Sequence, residues 1–291
     1  MLELIHAWSD ERHQDGPGFR TVHRTDGMSE HTARALAARS GLDLPPTGAA
    51  IPVFAHRILI LDGIPCSALT RISQTDGTSP DRPGRIAHHL ILSAEERPSI
   101  GPVSLLRSGW FFDTWDESAN LGSTPAPLPN QCEAFTPPNV DPEWMRILVQ
   151  RVTAHAPTAI VVPTVARCID VLAAIEQSLP TGRAWEFSFL TDTRLKTDGV
   201  LLLAAQSDTP AADFIANRYE GVVLSLHGSP TSSTPPLPHH EAEKALPDRV
   251  ELLPAAMDAD SGGLSAPVLL LIVLAMVAVS ITIAVLGGWM T

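Results

Sequence analysis

Lysine is almost missing from this chain. Of its 20 Lys+Arg residues only Lys196 and Lys244 are lysines, against 32 Asp+Glu, for a formal net charge of -12. With no basic block, the sequence offers no footprint for a nucleic-acid backbone. Cysteine is scarce too. Cys66, Cys132 and Cys168 are odd in number and far apart, and no CxxC spacing occurs. That excludes a zinc knuckle and a thioredoxin-type pair and reads as three reduced thiols. The start, "MLELIHAWSDERHQ", lacks the basic flank and apolar core of a signal peptide. No GxxxxGK[ST] phosphate loop, no GxGxxG after a strand, no GxSxG elbow and no HExxH helix is present. The residue patterns therefore imply neither a cofactor nor a metal.

One long hydrophobic run stands out. Residues 266–290 read "APVLLLIVLAMVAVSITIAVLGGWM" without a charge. At ~1.5 Å rise per residue such a helix crosses a hydrocarbon core of ~30 Å. Ser280 and Thr282 can bond their own helix carbonyls, and Trp289 suits the membrane interface. Residues 265–290 are therefore expected to form one transmembrane helix. Ahead of it, residues 228–264 are rich in Pro, Ser, Gly and acid, and bury too little to fold. His239 and His240 lie in this tether. From the start of the sequence and its free thiols the preceding domain is expected on the cytoplasmic side of a bacterial inner membrane, anchored by a single pass.

Residues 1–227 are expected to form an α/β domain, with a candidate sub-boundary in the Pro-rich stretch 120–142. The N-terminal part reads as α+β. "LELIHAW" alternates as a strand. "SEHTARALAARSG" is a helix with Ser29 as N-cap and Gly41 past its end. "VFAHRILILDGIPCSALTRIS" is a hairpin closed by Asp62-Gly63. "RIAHHLILS" is a strand, and "GPVSLLRSGWF" opens a short helix. The segment "DERHQDGPGFRTVHRTDG", with His13, His23, Asp15 and Asp26, reads as a polar loop; with His31 and Glu30 beyond it, the spacing fits no compact metal motif. The C-terminal part alternates. A helix follows Asp141-Pro142, then come the strand "TAIVVP", the helix "TVARCIDVLAAIEQSLP", the strands "AWEFSFLTD" and "DGVLLLAAQ", the helix "AADFIANRYEG" and the strand "VVLSLHG". This order implies a parallel βαβ unit.

The chemistry concentrates in "GRIAHHLIL", residues 84–92. On a strand, successive side chains alternate faces. His88 then points with Ile86, Leu90 and Leu92, and His89 with Ala87 and Ile91, so the pair does not share one ion. Two readings stay open. Each imidazole is a buried, hydrogen-bonded group that fixes the strand, or one of them serves a site with Arg85, Asp81 and Arg71, where Arg85 grips a carboxylate or phosphate.

Residues 69–116 resemble the N-terminal domain, type two, of GTPase-associated proteins from bacterial conflict systems. The likeness rests on Arg71, Gly84-Arg85, Ala87-His88-His89-Leu90, Glu95 to Pro98, Gly101-Pro102, Leu105-Leu106, Phe112 and Trp115. "LPTGRAWEFSFLTDT" (179–193) resembles a later segment of the same family, so the resemblance spans 1–227. Relatives often carry Asn shortly after the Gly-Arg pair, where Ile86 stands here, and Phe187-Ser188-Phe189-Leu190 departs from their Thr-Phe-Ser-Thr core. The resemblance implies a GTPase or effector protein as partner, and some relatives continue into a single membrane span. It implies no reaction. The expected function is a membrane-tethered adaptor of a GTPase-centred conflict or signalling system. The alternative is a membrane-anchored enzyme or nucleotide sensor with a site around Arg85, His88 and His89.

Overall fold

A computed structural model describes residues 1–9, 18–42, 52–74, 84–115, 121–131, 140–163, 167–180 and 182–226. All of them fall in the unit Met1–Pro236. Among the described residues no helix is long and apolar enough to cross a membrane. The run 265–290, the tether 228–264, Cys132, Asp81 and Arg82 lie outside them.

In chain order the elements are β1 (Leu2–Ser9), β2 (Gly18–Arg24), α1 (Glu30–Ala37), β3 (Val53–Leu61), β4 (Ile64–Gln74), β5 (Arg85–Leu92), α2 (Pro102–Arg107), α3 (Pro142–Thr153), β6 (Thr158–Val162), α4 (Cys168–Ser178), β7 (Phe189–Leu190), β8 (Leu202–Gln206), α5 (Pro210–Arg218) and β9 (Val222–Ser225). Among the described residues the strands form one nine-stranded sheet ordered β2-β1-β5-β4-β3-β7-β8-β6-β9. From β2 to β3 every pairing is antiparallel. From β7 to β9 every pairing is parallel. The two textures read from the sequence therefore share a single mixed α/β sheet. Their seam is short: β3 meets β7 only at Ala55↔Leu190 and His56↔Phe189.

Helices cover both faces. Val103, Leu105 and Leu106 of α2, Trp144 and Leu148 of α3, and Ile169 and Leu172 of α4 pack on Leu69, Leu90, Leu92, Phe189 and Ile160. This is the α4 face. On the opposite side, Ala33 and Leu36 of α1 meet Leu4, Ala68 and Ile91, while Ala211 and Ile215 of α5 meet Leu203 and Ala205. This is the α1 face.

Local chemistry explains several boundaries. Ser29 caps α1 by accepting from the Thr32 amide at 3.0 Å. The β3–β4 turn places Asp62 and Gly63 at φ 51° and 78°, which a primed hairpin turn requires. Its Asp62 carboxylate also accepts from Ser29 and Thr32 hydroxyls at 2.6 and 2.8 Å, tying the turn to the start of α1. Those two bonds hold the Asp62 carboxyl below its usual range.

Two local readings need correction. Residues 18–24, expected as part of a polar loop, form the edge strand β2. An edge strand buries little, so the apolar alternation that marks a strand is absent. Val22 sits at a register shift opposite Ile5 and His6, a bulge of the sort edges carry. "AWEFSFLTD" is not one strand either. It opens with a 3-10 turn at Ala184–Glu186 and pairs only at Phe189–Leu190.

Candidate functional site

All eight residues of β5 are buried. Its neighbours are β1 and β4, and directly paired residues share a face. The register runs His23↔Ile5, Ile5↔His88, His88↔Arg71 and Arg71↔Phe54. One row therefore crosses β2, β1, β5, β4 and β3 on the α4 face, at the ~4.8 Å inter-strand spacing. His89 points the other way, beside Leu4 and Thr70. Arg85 shares the parity of His89. The sequence candidates thus divide: Arg71 and His88 lie on the α4 face, Arg85 and His89 on the α1 face, and Asp81 outside the described residues.

The His88 ring is 0 % exposed. The Phe112 amide donates to its Nδ1 at 3.0 Å, which makes Nδ1 an acceptor and leaves the proton on Nε2. Nε2–H then donates to the Glu3 carboxylate at 2.8 Å. Trp110 and Phe112 stack on the ring, with centroids 5.0 and 5.1 Å away, and Phe111 meets it edge-on. Burial is the main force that lowers the His88 pKa; the bond to Glu3 opposes it. Next in the row, Arg71 pairs with Asp113, which also accepts from Ser73 at 2.8 Å. The loop after α2, residues 110–113, is thereby latched to the sheet by His88 and Arg71 together. Around the row Nε of Arg71, Nε2 of His23 and the indole nitrogens of Trp110 and Trp115 are buried without a hydrogen bond.

His89 is also 0 % exposed. Its Nε2 and Nδ1 bond the hydroxyls of Ser40 and Thr70, both at 2.9 Å. Burial, with His6 and Arg57 nearby, drives its pKa well below the usual value. Ser40 and His89 are the residue types of a nucleophile and its base, but Ser40 is 1 % exposed and a hydroxyl, not a carboxylate, orients the far nitrogen. Arg85 donates to the carbonyls of Gly41 and Leu42 at 3.0 and 3.2 Å. Both carbonyls lie in the chain just past α1, which ends at Ala37, so this guanidinium ties that connection to β5.

Sequence reasoning missed three groups. His56 donates from Nδ1 to the Phe187 carbonyl at 2.7 Å and bonds the Ser67 hydroxyl at 3.0 Å. Burial pushes its pKa down to about 4. Arg57 is 1 % exposed and bonds the Lys196 carbonyl; burial lowers its pKa to about 10. Glu176 of α4 accepts from the amides of Val103 and Ser104 and the Ser104 hydroxyl, at 2.7, 3.0 and 2.6 Å. Each takes at least one partner from far along the chain, and no local pattern announces it. Among the described residues no three His, Cys, Asp or Glu side chains gather to hold a metal ion.

Comparison with curated proteins and with solved structures returns no match. Residues 2–128 match the family model described as GTPase-associated protein 1, N-terminal domain type 2. The matched stretch takes in β1 to β5 with α1 and α2 and ends before α3. Over those residues the chain is similar to the N-terminal domain of a GTPase-associated protein.

Proposed function

We propose that this chain is a membrane-tethered adaptor of a GTPase-centred bacterial conflict or signalling system, acting by protein–protein contact. The family match over 2–128 supports the GTPase association. The observation that carries the adaptor reading is where the candidate polar groups spend their bonds. His88 holds Glu3 and Phe112, His89 holds Ser40 and Thr70, Arg85 holds Gly41 and Leu42, and Arg71 holds Asp113. These side chains build the sheet and its covers. The apolar run 265–290 supplies the membrane anchor, and the Pro-rich acidic stretch 228–264 supplies reach. Tethering raises the local concentration of partners.

The test is affinity capture of the detergent-solubilised chain from its native cells, read by mass spectrometry. A stoichiometric GTPase is expected, and it persists with His88→Ala and His89→Ala variants that still fold. A co-purifying nucleotide or metal, lost with either histidine, overturns the adaptor and makes the chain an enzyme or sensor. For the anchor, alkaline carbonate leaves the chain in the membrane pellet, and removal of residues 265–290 frees it.

A further inference from the structure

β2 ends the sheet. An edge strand turns a row of backbone N–H and C=O groups away from its single neighbour, and in Thr21–Arg24 the described backbone bonds go only to β1. Beside this edge lies a groove of about 360 Å³ between β2 and α1. Thr21 and Arg24 form one wall, and Glu30, Ala33, Arg34 and Ala37 the other. Two small alanines keep it open on the helix side.

The charge in the groove runs against that of the chain. Two guanidiniums share one carboxylate: Arg24 donates from Nη1 to Glu30 at 2.8 Å and Arg34 from Nε at 3.1 Å. A guanidinium carries five donors, so both keep N–H groups for another acceptor. The chain as a whole stands at -12.

We propose that the β2 edge and its groove bind an extended acidic segment of a partner protein, which adds to the sheet as a further strand. Backbone pairing supplies affinity in this mode and alternate side chains supply selectivity. An added strand sends every second side chain toward α1, where Asp or Glu meets Arg24 and Arg34 over Ala33 and Ala37. The biological use of this edge rests on the adaptor reading above; the binding itself does not.

The probe is a displayed pool of short random peptides, selected on the purified, detergent-solubilised chain. The recovered peptides are expected to alternate Asp or Glu with β-formers. N-methylation at alternate backbone positions of a recovered peptide abolishes its binding, and the paired Arg24→Glu and Arg34→Glu variant weakens it about tenfold or more, as reversed charge at an interface does. Both arginine side chains are substantially exposed, and an unchanged melting temperature shows that the variant folds. The proposal is overturned if no peptide is recovered, if the recovered peptides lack acid, or if N-methylation and charge reversal leave affinity unchanged. Binding is scored on the chain alone, so its failure removes the edge site and leaves the adaptor reading to the capture experiment.

Discussion

Burial disfavours the charged form of three imidazoles in the antiparallel half of the sheet, His56, His88 and His89. His56 is the extreme case, with a folded pKa of about 4 against an ordinary value of 6.5. Below pH 6.5 the unfolded chain takes up a proton there and the folded chain does not. The contribution is therefore complete above the unfolded pKa and is lost as pH falls toward the folded one. For His56 alone the loss amounts to roughly 3 kcal/mol between neutral pH and pH 4, and His88 and His89 shift in the same direction. Urea unfolding at pH 7, 6 and 5 is expected to give falling stabilities, and a flat series counts against neutral burial. The opposite facing of His88 and His89 was legible in the sequence, because strand alternation alone demands it. Their partners were not. Glu3 stands 85 positions from His88, and Ser40 stands 49 from His89, and no spacing rule reaches that far. Arg85 shows the same limit: its residue type invited an anion, whereas the fold supplied two backbone carbonyls from the connection after α1.

At the scale of elements, α2 depends on α4. The helix has six residues, and its N-cap is Gly101, which has no side chain to cap with. Glu176 supplies the missing acceptor from outside. Because that carboxylate occupies the space beside Gly101, a Cβ there would overlap it. Gly101→Ala is expected to cost about 1–3 kcal/mol, because the end of the Glu176 side chain must swing aside and give up its buried bonds. Glu176→Ala, which strands the Val103 and Ser104 amides, is expected to cost about 1–3 kcal/mol. Chemical denaturation of both variants and their double mutant provides the check. If the carboxylate is the shared cause, the double mutant loses less than the sum. The start of α2 was readable from Gly101-Pro102, but the reason for the glycine was not, since Glu176 belongs to a helix laid down far later. The hairpin β3–β4 was the most legible element because its signal is local. β2 was the least, because an exposed edge has no buried face to imprint a pattern on its residues.

For the whole molecule, the family match and the folding unit have different limits. The match ends at residue 128, yet β3 pairs with β7 and α2 is capped from α4. A fragment of residues 1–128 is expected to show poor amide dispersion and no cooperative melting, while residues 1–226 melt as one unit. A cooperative transition in the short fragment would show that the matched region is self-sufficient. The sequence displayed a change of texture near residue 125 and invited a division there. The sheet crosses that line because long-range strand order leaves no trace in local periodicity.

The late arrival of β7 also bears on synthesis. β3 is complete at Leu61, but the flank that pairs with β7 stays uncovered until Leu190 has left the ribosome. While the residues between Leu61 and Leu190 are being made the nascent chain therefore carries an open strand flank, and long-range pairing of this kind is slow and aggregation-exposed. Chaperone demand should rise with any pause in elongation between these two strands.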